Sequence, residues 1–141
     1  MTKECLFCAI VAGTEPASLV YQDEIVSAFL TIGPVNPGHL LVIPNQHAAF
    51  LSDMDEETGA HLFTISTRLA RVLRQSGLRC EGINLFLADR EAAFQEIFHV
   101  HMHVFPRFSG DNFTISADWS VKPSRAELDR IALQIRQGAV K

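Results

Sequence analysis

The sequence lacks what a membrane span, a nucleic-acid surface or a disulfide scaffold requires. No stretch approaches the roughly 18 consecutive apolar residues of a spanning helix, and the opening Met-Thr-Lys-Glu-Cys is no signal peptide, so a cytoplasmic protein is expected. Positive charge is in deficit: 12 Lys and Arg against 16 Asp and Glu leave a net charge of −4 with the histidines neutral. No basic field is left to draw in nucleic acid, and any anionic partner needs a local pocket. Three cysteines, an odd number, argue against a disulfide framework. Repeats, low-complexity tracts and linkers are also absent. At roughly 100–200 residues per domain, the 141 residues are expected to form one domain over 1–141.

What is present reads as an α+β chain. Residues 4–13 suggest a helical turn ended by Gly13. Two β-rich runs, 19–22 and 25–31, are split by Asp23-Glu24. The breaker-rich loop Gly33-Pro34-Val35-Asn36-Pro37-Gly38 follows, then a buried strand over 40–43 stopped at Pro44. A long helix is expected over 53–76, capped by Ser52, with Leu62, Ile65, Leu69, Val72 and Leu73 as its apolar stripe. Strands at 83–87 and 97–105 come next. A capping box at Ser124-Arg125-Ala126-Glu127 then opens a short amphipathic helix with Leu128, Ile131, Ala132 and Ile135 as its apolar residues and Gly138 at its end. About five strands and two substantial helices, unevenly interleaved by short links, predict a mostly antiparallel sheet.

The chemistry concentrates in Phe98-His99-Val100-His101-Met102-His103-Val104-Phe105. Strand side chains alternate, so His99, His101 and His103 share one face, with neighbouring imidazoles roughly 6–7 Å apart. A lone strand histidine is usually structural, but three on one face each bring two ring nitrogens that need partners. Neutral imidazole is itself a nucleophile at neutral pH. To attack through one nitrogen it must keep the proton of the other on an acceptor such as a backbone carbonyl. A metal site is the other reading, because His-x-His strands also bind zinc. Cys5-x-x-Cys8 has the spacing of half a zinc site, and equally that of two small buried residues in a reducing compartment.

The block His99-Val100-His101-Met102-His103-Val104-Phe105 resembles the signature of the histidine triad (HIT) family. Cys5-x-x-Cys8, Ala28-Phe29-Leu30, Pro37-Gly38-His39-Leu40-Leu41-Val42-Ile43-Pro44 and Gln95-Glu96-Ile97-Phe98 fall in that family's order, so the likeness covers most of the chain. The resemblance implies a HIT-like fold and a nucleotide hydrolase or nucleotidyl transferase needing no cofactor for its chemistry. His101 would attack the α-phosphorus of a nucleoside phosphoramidate or a dinucleoside polyphosphate, such as diadenosine tetraphosphate, through a nucleotidyl-histidine intermediate. His103 would orient nucleophile and phosphate, and His99 would support the site from its other side. His39 would polarise the assembly, and Gln95 would lie by the scissile phosphate.

The nucleoside pocket departs from the family pattern. Thr31 stands where an aspartate usually holds ribose, so ribose binding would be weaker or rebuilt by Asp23 or Asp89. Ala88 replaces a usual amide and Phe94 a usual glycine. Phe7, Ile10, Phe29 and Ile32 are candidate base walls, with plain core as the competing reading. Arg107 is a candidate for outer phosphates, with a solvated surface role beside it. The likeness also implies a homodimer with the long helix in its interface. In bacterial-type members it implies a structural zinc, here on Cys5, Cys8, His47 and His99; a cysteine pair without metal is the alternative. Two other functions stay open at this point: a metal-dependent hydrolase using all three triad histidines as ligands, and a non-catalytic nucleotide-binding module.

Overall fold

A computed structural model describes residues 4–138. It contains α1 (Leu6–Ala12), β1 (Leu19–Gln22), β2 (Val26–Leu30), β3 (Leu40–Pro44), α2 (Glu56–Gln75), β4 (Gly82–Phe86), β5 (Met102–Arg107) and α3 (Arg125–Gln137). The strands form one sheet in the order β1-β2-β3-β5-β4, antiparallel at each pairing, so the chain is α+β.

The Leu-Leu-Val-Ile run of β3 is apolar at every position because both faces of this central strand are covered. Leu40 and Val42 join Val26, Ala28 and Val104 in a core closed by Leu62, Ile65, Leu69 and Leu73 of α2. Leu41 and Ile43 face the other way and pack with Phe29 against Phe7 and Ile10 of α1. Gly13 ends α1 in a left-handed conformation, φ 80°. Gly38, at φ 100°, lets the loop before β3 approach closely, since a Cβ there would meet Leu78 Cδ1 at 2.9 Å.

Three expected boundaries shift. The long helix starts at Glu56 and is capped by Asp55, whose carboxylate accepts the Thr58 N–H at 2.7 Å; Ser52 is not its cap. Residues 51–53 close a separate 3-10 turn, in which Asp53 accepts the Phe50 N–H at 3.1 Å. Pro44 is the last residue of β3 and does not stop the chain before it.

The third shift concerns the triad segment, where β5 begins at Met102 rather than at residue 97. The β3–β5 register pairs Val42 with Met102. Carried further, it would set Val100 against Pro44, which has no N–H to give. The Val100 N–H bonds instead to the Ala48 carbonyl at 2.7 Å. His99 and His101 therefore sit on extended chain just before the ladder, and His103 sits within it.

Helix α3 is capped by Ser124, which accepts the Glu127 N–H at 3.1 Å. Its apolar residues Leu128, Ile131 and Ile135, with Leu133, are all exposed.

Candidate functional site

The histidines lie on the α1 side of the sheet. Phe7 of α1 sets its ring edge-on to His99 and His101, at centroid distances of 5.8 and 5.3 Å. His101 and His103 lean together, their ring centroids 5.0 Å apart, closer than the backbone repeat alone would place them.

Hydrogen bonds fix where the protons reside. His101 is buried, and its Nδ1 donates to the His99 carbonyl at 2.8 Å. Its Nε2 therefore carries the lone pair, and among the described residues nothing donates to it. His39 Nδ1 accepts the Val35 N–H at 3.0 Å, so the proton of that ring is on Nε2. That Nε2 lies 2.9 Å from His103 Nδ1, which must accept. His103 is left as an Nε2–H donor. A lone pair on His101 and an outward N–H on His103 thus stand side by side.

Burial keeps these rings uncharged. It pushes His39 down to about 4, and His103 to about 4 with help from His101 and His39 nearby. Burial also lowers His101 from its ordinary value.

His99 takes no part in this proton arrangement through its ring. It is fully buried, and its Nε2 donates to the Pro44 carbonyl at 2.8 Å. Its Nδ1 faces Cys5 Sγ at 3.4 Å, Cys8 Sγ at 3.6 Å and His47 Nδ1 at 3.2 Å, while Cys8 Sγ lies 3.4 Å from His47 Nδ1. The four donor atoms lie within 4.8 Å of one another. A tetrahedral zinc with bonds near 2.0–2.1 Å to nitrogen and 2.3 Å to sulfur has N–N edges of about 3.3 Å and N–S edges of about 3.6 Å. The donor set fits that geometry, and the Pro44 carbonyl fixes the tautomer that leaves Nδ1 of His99 free to ligate. Without a cation, burial and the adjoining Cys5 push the Cys8 thiol up to about 11.

Several expected contacts fall elsewhere. The amide of Gln95 is spent on backbone: Nε2 donates to the carbonyls of Ala49 and Ile97 at 2.8 and 3.1 Å, and Oε1 accepts the Arg90 N–H at 2.6 Å. It braces the loop entering the triad rather than pointing at a phosphate. That loop holds Arg90 and Phe94 at φ 76° and 73°, the backbone region glycine favours, and borders a cleft of about 360 Å³ between Phe50, Arg90, Glu91, Ala92 and Phe98.

Phe7 and Ile10 of α1 pack against Phe29 of β2 beneath the sheet, and all three are core residues that show little surface. Ile32 is fully exposed. The Thr31 hydroxyl accepts the Gly33 N–H at 3.2 Å. Asp89 accepts the Leu51 N–H at 2.9 Å through Oδ1, with Oδ2 3.8 Å from Arg90 Nε, and Asp23 is engaged by Tyr21 at 2.7 Å and His61 at 2.6 Å. Arg107 does not reach out to outer phosphates, because Asp111, Asn84 and the Phe113 carbonyl hold its guanidinium.

Sequence reading missed Asn36 and Asp111, which are knit into the loop beside His39. It also missed the Val35 N–H and the Pro44 carbonyl, backbone groups that leave no signature in side-chain patterns.

The HIT domain family model matches residues 12–110. A purine nucleoside phosphoramidase of Escherichia coli is 34% identical over 104 residues, covering 74% of this chain and 87% of that protein. A Streptococcus mutans protein of known structure superposes with a TM-score of 0.90 at 38% identity, covering 98% of this chain and 87% of that one. A zinc-bound histidine triad family protein from Mycobacterium smegmatis gives a TM-score of 0.75 at 40% identity, covering 96% and 97%.

Proposed function

The chain belongs to the HIT family in its bacterial form, and from its site we propose that it is a nucleotide hydrolase or nucleotidyl transferase acting at the α-phosphate through His101. The observation that carries this is the bond from His101 Nδ1 to the His99 carbonyl, which leaves Nε2 as a neutral nucleophile. The His101 Nε2 lone pair forms a bond to the α-phosphorus. The bond from phosphorus to the amine or polyphosphate leaving group breaks, and the leaving group departs with the electron pair. An amine leaving group takes its proton from water. His103, through Nε2–H, donates to a non-bridging phosphate oxygen and fixes the phosphate against the nucleophile. Water then attacks phosphorus and gives up a proton to the solvent hydroxide left when the amine was protonated, and the electron pair of the nitrogen–phosphorus bond returns to Nε2.

Nucleoside phosphoramidates are the favoured substrates, supported by the similarity to a protein named purine nucleoside phosphoramidase. Dinucleoside polyphosphates are the second class. Use of all three triad histidines on one catalytic ion is disfavoured by geometry. The His99 nitrogens face the cysteine cluster and Pro44, and His103 Nδ1 faces His39.

Cys5, Cys8, His47 and His99 hold a structural zinc, supported by the donor geometry and by the zinc-bound relative. When bound, the metal supplies a closed cross-link between α1 and the triad segment, with no open position for substrate. The chain works as a single domain and, as the family likeness implies, as a homodimer with the long helix α2 in its interface, where Phe63 and Val72 are exposed. Comparing kcat/KM for adenosine and guanosine phosphoramidates and dinucleoside polyphosphates, with and without EDTA, tests the reading. Turnover that survives EDTA and is lost in His101→Ala supports it, and turnover retained in His101→Ala overturns it.

A further inference from the structure

Asn36 and Asp111 are 75 positions apart in the chain, yet their side chains meet beside the triad. Asn36 is buried, and its Nδ2 donates to the Pro106 carbonyl and to Asp111 Oδ2, each at 2.9 Å. Its own carbonyl accepts the His39 N–H at 3.1 Å. The carboxylate of Asp111, 2% exposed, also takes Arg107 Nε at 2.7 Å, Arg107 Nη2 at 2.9 Å, and the N–H groups of Phe108 and Phe113 at 3.1 and 3.3 Å. Arg107 is itself tied to Asn84 of β4 at 2.8 Å and to the Phe113 carbonyl at 3.0 Å.

The result is an ionic knot on β4 and β5 that grips one side chain of loop 33–38. That loop also carries the Val35 N–H, one peptide before Asn36, which fixes the proton of His39. Releasing Asn36 releases both the N–H that faces His39 Nδ1 and the carbonyl that holds the His39 backbone. A second backbone bond, Thr31 N–H to the His39 carbonyl at 3.1 Å, would still hold the His39 backbone at the N-terminal end of β3. What is lost is orientation rather than fold.

We propose that Asn36 and Asp111 are positioning residues for the reaction, anchoring loop 33–38 to β5 so that the Val35 N–H imposes one proton order on the His39–His103 pair. This rests on the reading of His101 as nucleophile and His103 as donor to the phosphate.

The test compares Asn36→Ala and Asp111→Asn with His61→Ala on α2, which breaks the 2.6 Å pair between His61 and Asp23 of the β1–β2 turn. Nitrogen-15 histidine spectra report the tautomers of His39 and His103, and steady-state assays with adenosine 5′-phosphoramidate give kcat and KM. In the wild type, both rings should show the proton on Nε2. In the two clamp variants that order should give way to mixed tautomers. Their kcat should fall about 10- to 100-fold with KM within about twofold, and Asp111→Glu, which keeps the anion, should recover part of kcat. His61→Ala should lower the melting temperature and leave tautomers and kcat as in the wild type. Clamp variants that lose only melting temperature, with tautomers and kcat unchanged, would overturn the proposal. Arg107→Gln, at the far side of the same knot, is read in the same way should either clamp variant fail to fold. A wild type inactive on every nucleotide would sink the functional reading alone; the spectra then decide the clamp, supported by lost tautomer order and overturned by its retention.

Discussion

His39 Nε2 lies 2.9 Å from His103 Nδ1, with the other nitrogen of His39 already accepting the Val35 N–H. One proton therefore stands between the two rings, and it belongs to His39. Replacing His39 by Phe keeps an aromatic ring against Phe105 and removes that donor. His103 is then free to carry its proton on either nitrogen. Steady-state kinetics of His39→Phe should show kcat down by about 100-fold with KM changed by no more than a few-fold.

Acid should destabilise the protein in two stages. Burial holds His39 and His103 at about 4, below their ordinary 6.5, so on acidification the unfolded chain takes up protons first. Stability should fall from about pH 6.5 to about 4 and then level off for these two groups. A separate loss begins only below about pH 4, where unfolded aspartates protonate while Arg107 still holds Asp111 ionised. Urea melts at pH 7, 5.5 and 4.5 should therefore give falling midpoints. Constant midpoints across that window would count against a neutral, buried pair.

Protein purified without chelator should contain one zinc per chain by elemental analysis. Cys8→Ser should lose the metal and melt on the order of 10 °C lower. Content well below one zinc per chain, with the native melting temperature, would remove zinc from the account.

Thr31 offers a single hydroxyl that is already accepting the Gly33 N–H. An aspartate there can keep that bond with one oxygen and present the other to ribose. Thr31→Asp should lower KM for ribonucleotide substrates by about tenfold, with little effect on a 2′,3′-dideoxy analogue. Paired assays of the two substrates provide the measurement.

Much of the fold was legible because apolar periodicity survives in the chain. The Leu-Leu-Val-Ile run of β3, the stripe of α2 and the alternation around the triad each announced an element that is present. Misplaced boundaries trace to local bonding that patterns do not carry: Asp53 closing its own turn, Asp55 capping α2, and Pro44 denying the triad segment a ladder partner. At the site, the histidines could be picked out by type and spacing. Their proton order could not, because Val35 N–H and the carbonyls of His99 and Pro44 set it. The engagement of Gln95 by backbone and of Arg107 by Asp111 and Asn84 is illegible for a related reason: a polar side chain near a site carries no sign of which groups of the protein already claim it.

On the proposed mechanism His101 becomes covalently nucleotidylated during turnover. Wild-type protein mixed with a nucleoside phosphoramidate, quenched in alkali within one turnover and digested for mass spectrometry, tests it directly. The expected result is a nucleotidyl adduct on His101, absent from an inactive His101→Ala variant. Full activity in His101→Ala, or an adduct on His99 or His103 instead, would rule out His101 as the nucleophile.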